Sequence, residues 1–142
     1  MTARDWTTIS VSRLDDAVAA FALSYDVLPQ LLEKNAEKCK KSIALVAEWV
    51  EKNRERVEWV PPVGAGTAFV KVKNKNGEPV QDTLFAKGLI EKTGVSVVPG
   101  EHCFGDGEDG DLKGYVRISL GLEEQQLRDG LTELESYLNG LD

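Results

Sequence analysis

The residues of this chain that could do chemistry gather in one stretch, from His102 to Arg117. His102 is the only histidine in 142 residues. It has no serine or cysteine at a recognisable local spacing, so it supports no local triad and reads as a loop or loop-anchoring residue. Gly105-Asp-Gly-Glu-Asp-Gly110 matches the dinucleotide-binding pattern letter for letter. That pattern works by ending a strand and opening a helix whose N-terminus receives pyrophosphate. Here the pattern predicts a following strand rather than a helix, and Asp106, Glu108 and Asp109 would repel phosphate, so the segment is read as a surface loop. Those acids and Asp111 lack the DxDxDG opening and the twelfth-position glutamate of an EF-hand, and no metal is expected. Cys39 and Cys103 have no CxxC spacing and are expected as reduced thiols.

Arg117 is the more informative charge. It stands between Val116 and Ile118 in a strand-like run, so its guanidinium leaves the face opposite its apolar neighbours, in a direction held by the ladder. From pattern alone, an ion pair with a helix carboxylate is favoured over ligand binding. The one basic cluster, Lys38, Lys40 and Lys41, lies in a helical pattern beside Glu33 and Glu37 and is read as a solvated face. With 24 acidic against 17 basic residues the formal charge is −7, which argues against a nucleic-acid partner. A chain with 42% hydrophobic and 29% charged residues can bury a core without a metal or disulfides. No apolar run approaches the roughly 20 residues of a membrane span, and the first residues lack an apolar signal core. The expectation is a cytoplasmic protein with no membrane partner.

The elements that must position these groups follow from periodicity. Residues 1–12 are Thr- and Ser-rich and mildly β-like. Ser12 is an N-cap signal, with Asp15 and Asp16 in the first turn. Residues 17–32 are apolar on more than one face, and Pro29 opens a second helix rather than bending the first. From Gln30 to about Asn53, Leu32, Ala36, Cys39, Ile43, Val46 and Val50 recur at steps of three and four. Strands are expected at 57–60, stopped by Pro61-Pro62, at 67–73, with Val70 and Val72 on one face and Phe69 on the other, at 95–98, and at 115–120. A helix over 80–93 should bury Leu84, Phe85, Leu89 and Ile90 and stop at Gly94; 101–114 reads as loop; and Leu127, Leu131, Leu134 and Leu138 mark a C-terminal amphipathic helix. The order α α β β α β β α, without internal repeats, predicts an α+β two-layer sandwich: a small mixed or antiparallel sheet packed against helices.

Gly94-Val-Ser-Val-Val-Pro-Gly-Glu-His-Cys-Phe-Gly105, then a variable loop, then Gly114-Tyr-Val-Arg-Ile-Ser119 and a final amphipathic helix, resembles the C-terminal signature of class I/II aminotransferases, the fold-type I enzymes dependent on pyridoxal phosphate (PLP). Glu58-Trp-Val60 into Pro61-Pro62, and Pro62-Val-Gly-Ala-Gly-Thr-Ala-Phe69, agree with that family in order. The resemblance implies a single small domain over 13–142, with 1–12 a lead-in from a missing large domain. It implies that Arg117 grips the α-carboxylate of an amino-acid or 2-oxo-acid substrate, through two parallel donors that fix orientation.

The Schiff-base lysine, the aspartate that meets the pyridine nitrogen and the phosphate cup of that family have no counterpart here; no serine is followed two or three positions later by lysine. PLP is therefore expected in an intact enzyme but not on this chain alone, and no residue here is assigned as catalytic, cofactor-binding or metal-binding. The chain is expected to be inactive by itself and to seek the large domain and a second copy as partners. The alternative is a non-catalytic α+β interaction module that kept the fold.

Overall fold

A computed structural model of the chain describes residues 12–105 and 110–141. Most of the expected lead-in segment, and Asp106, Glu108 and Asp109 of the acidic loop, lie outside the described residues. The chain divides into two compact units, Met1–Glu37 and Lys38–Asp142.

In the first unit, helix α1 spans Arg13–Ala22. Ser12 is its N-cap: the Ser12 hydroxyl accepts from the N–H groups of Leu14 and Asp15 at 3.2 and 3.4 Å, and Asp15 and Asp16 complement the positive end of the helix. The helix buries none of its residues; Leu14, Val18 and Phe21 are all exposed. Helix α2, Leu28–Lys52, begins with Pro29 at its second position, where a missing N–H costs nothing, and continues into the second unit.

In the second unit, α2 buries Ser42, Leu45, Val46, Trp49 and Val50, the i, i+3, i+4, i+7, i+8 stripe of one helix face. The expected stripe holds in this unit and is widened: Val46 and Val50 are buried, Ile43 packs against the core and Cys39 is half-buried, while Ser42, Leu45 and Trp49 extend the face; Leu32 and Ala36, in the first unit, are exposed. The sheet consists of β1 Val57–Trp59, β2 Thr67–Val72, β3 Val98–Pro99 and β4 Tyr115–Ser119, in the order β1-β2-β4-β3. All three pairings are antiparallel. The layer of helices over it contains α3, Asp82–Thr93, which ends at Gly94 in the left-handed region (φ 76°), and α5, Glu124–Asn139. A one-turn helix, α4 Gly100–Phe104, occupies the start of the expected loop; five residues are too few to print a helical period on a sequence.

Strand alternation divides the sheet's faces cleanly. Ala68, Val70 and Val72 of β2 and Val116 and Ile118 of β4 enter the core, where they meet Phe85 and Leu89 of α3 and Leu127, Leu131, Leu134 and Leu138 of α5. Leu84 and Ile90, expected inside, are 62% and 47% exposed, because α3 turns a narrower stripe to the sheet than its apolar composition suggests. Arg56 fastens this layer at one end: its guanidinium donates to the backbone carbonyl of Leu138 in the last turn of α5, where positive charge is favoured, and to that of Lys73 beyond β2. Among the described residues, no helix is long and apolar enough to cross a membrane.

Candidate functional site

The face of the sheet opposite the core carries Thr67, Phe69 and Lys71 from β2 and Tyr115, Arg117 and Ser119 from β4. Arg117 is the middle residue of β4, paired across one edge with Phe69 and across the other with Val98. Its backbone is therefore fixed from both sides. The guanidinium carbon lies 5.1 Å from the centroid of the Phe104 ring, and Phe104 meets Phe69 edge-to-face with centroids 5.4 Å apart and planes at 77°. Among the described residues Arg117 makes no ion pair, so the helix carboxylate favoured from pattern alone is not its neighbour. The reason is geometric: β4 sends Val116 and Ile118 toward the helices and Arg117 away from them.

The other charges of this face are spoken for. Lys71 lies over the Tyr115 ring, 5.4 Å from its centroid. Glu58 of β1 accepts a hydrogen bond from Lys73, which, with the positive charges of Lys73 and Lys71, holds its carboxyl below the usual carboxylate range. Away from this face, on α2, Lys38 of the solvated basic cluster pairs with Glu123 at the start of α5.

Phe104 reaches this face because α4 is anchored by buried groups that the sequence did not advertise. Glu101 is 3% exposed. Its N–H donates to the buried Asp82 carboxylate at 2.7 Å, and its own carboxylate accepts from the Leu112 N–H at 2.9 Å. A Cβ at Gly105 or Gly110 would stand within 2.3 Å of the Glu101 carboxylate, so both backbones close over it. Gly100 is as tightly placed, with Tyr115 Cβ and its carbonyl oxygen each 2.8 Å from where a Cβ would be. Gly100→Ala must push α4 off β4, and should cost about 1–3 kcal/mol in a urea titration; unchanged stability would show that α4 is not held by this contact. His102 and Cys103 are exposed on α4, and Cys39 is half-buried; neither cysteine is in a disulfide. Among the described residues, no group of three His, Cys, Asp or Glu side chains could hold a metal.

No protein-family profile matches the chain. It is 30% identical over 104 residues to LL-diaminopimelate aminotransferase of Halothermothrix orenii, matching 73% of this chain and 25% of that enzyme. A PLP-dependent aminotransferase from Streptococcus suis superposes with a TM-score of 0.80 at 29% identity, over 98% of this chain and 33% of that one. By fold, the chain is an aminotransferase small domain. A PLP-dependent cyclase, OrfR, matches the small domain with the same TM-score, 0.80, at 25% identity over 96% of this chain and 34% of its own. The small domain thus spans a quarter to a third of the proteins it resembles.

None of the described lysines of the small domain is buried. Its buried aspartate, Asp82, already accepts from the Glu101 N–H. At Gly64 and Gly66, in the glycine-rich turn before β2, a Cβ would meet nothing within 4 Å.

Proposed function

We propose that this chain contributes the small-domain wall of a PLP-dependent enzyme's active site, and that Arg117 there receives the α-carboxylate of an amino acid or 2-oxo acid. The observation that carries this reading is a half-buried arginine, fixed in mid-ladder on the outer face, with aromatic support and no ion pair among the described residues. A guanidinium so held offers a carboxylate two coplanar donors at little further ordering cost. Arg117 binds and orients; it moves no proton.

The large domain of the intact enzyme holds PLP, which supplies the electron sink for chemistry at the α-carbon. Residues 13–142 form the small domain, and exposed Leu14, Val18 and Phe21 on α1, with Leu31 and Leu32 on α2, support burial of that first unit against the large domain or a second copy. The chain alone is inactive.

PLP titration tests this division of labour. The isolated chain should give no saturable absorbance change beyond that of surface lysines, and no amino-acid turnover; stoichiometric binding with turnover would overturn it. Pyruvate titration followed on the Arg117 side-chain NMR resonance tests the carboxylate role, and an unmoved resonance would favour the non-catalytic interaction module.

A further inference from the structure

We propose that Phe104 is the positioning residue that aims Arg117, with Phe69 as the edge that fixes Phe104; this inference rests on the carboxylate-binding reading of Arg117. An arginine on a strand has a ladder-fixed Cα but four flexible torsions beyond it, and ordering such a side chain at the moment of binding costs affinity. Phe104 removes part of that cost in advance. Its ring lies beneath the guanidinium, 5.1 Å from the central carbon, an attraction between the cation and the negative ring face. The ring is itself held: Phe69, directly opposite Arg117 in the ladder, meets Phe104 edge-to-face. Phe104 thus links the other two side chains, touching the Arg117 guanidinium on one hand and the Phe69 ring on the other.

The set depends on chain segments distant in sequence. Phe69 arrives from β2, Arg117 from β4, and Phe104 from α4, whose first turn is pinned by Gly100 against Tyr115 and by Glu101 between Asp82 and Leu112. The buried acid thus serves the site at a distance, by fixing the helix that carries the ring. A guanidinium held at the ring by its central carbon keeps its N–H donors available to a carboxylate.

The experiment uses the full 142-residue chain and pyruvate as probe. In the unsubstituted chain, Arg117 side-chain protons should show ring-current shifts and cross-relaxation with the Phe104 ring, a measurement that needs no variant to fold. Phe104→Leu should abolish those shifts and weaken pyruvate binding about two- to fivefold, the worth of an exposed cation–ring contact. Phe104→Tyr, which keeps a ring face, should restore both. A merely structural role would lower the affinity in Phe104→Leu only by disturbing the strand, so the positioning role requires that loss with the amides of Val116 and Ile118 unshifted. If pyruvate binds the unsubstituted and Phe104→Leu chains equally, the positioning role is overturned and the carboxylate reading stands. If pyruvate leaves Arg117 unmoved in the unsubstituted chain, the carboxylate reading itself fails.

Discussion

Leu89→Ala lowers the unfolding free energy by about 2–5 kcal/mol, the cost of a leucine cavity that cannot collapse, while Ile90→Ala, one residue along the same helix, changes it by no more than about 0.5 kcal/mol. Leu89 is completely buried in the middle of α3, in the cluster that contains Val70, Val116 and Leu134. A cavity there removes contacts from the sheet and from α5 together, and neither layer can move without disturbing the other. Ile90 is 47% exposed, and loses little that water cannot replace. Urea unfolding of both variants, with slopes unchanged, measures the contrast. Equal losses would mean that α3 presents a different face to the sheet.

The second large effect concerns binding. Arg117→Ala should weaken pyruvate binding to the chain by about 1.5–3 kcal/mol, at least tenfold, as expected for a charge-assisted hydrogen-bonded pair. Folding should be spared, because the Arg117 side chain lies on the outer face and its strand partners bond through the backbone. Arg117→Lys keeps the charge but loses the planar pair of donors, and should recover only part of the affinity. Calorimetric titration at low salt, with unfolding curves of the same samples, separates binding from stability. An affinity unchanged in Arg117→Ala removes this residue from the site.

The residues that made the fold legible were those whose spacing repeats. Leu127, Leu131, Leu134 and Leu138 share one face of a helix, as their steps of four, three and four require, and the alternation of the strand separates Phe69 from Val70 and Val72, with the core deciding which side is inward. Arg117 was legible in the same way, through Val116 and Ile118. Periodicity found the buried face of α2 through Ile43, Val46 and Val50 but not its width: Leu45 and Trp49, beside that stripe, are buried too, which only packing in the second unit decides. The supports of the candidate site were less visible still. Glu101 looks like any loop acid, and its burial depends on a carboxylate from α3 and an N–H eleven residues downstream, neither of which a local window contains. Phe104 has no periodic partner, and its tie to Phe69 is purely tertiary.

The strand that carries Arg117 is the last to be synthesised, yet it lies between β2 and β3 rather than at an edge. The β1–β2 hairpin can close early, but β2 then waits for a partner whose first residue, Tyr115, follows the whole of α3 and α4. Until that segment arrives, one side of Thr67–Val72 is an open row of amide and carbonyl groups next to apolar Val70 and Val72, the kind of edge that recruits foreign strands. Such late, long-range closure slows folding. It also makes the arrival of Arg117 and the sealing of the sheet a single event, so a nascent chain offers no finished carboxylate grip until its most aggregation-prone edge has been covered.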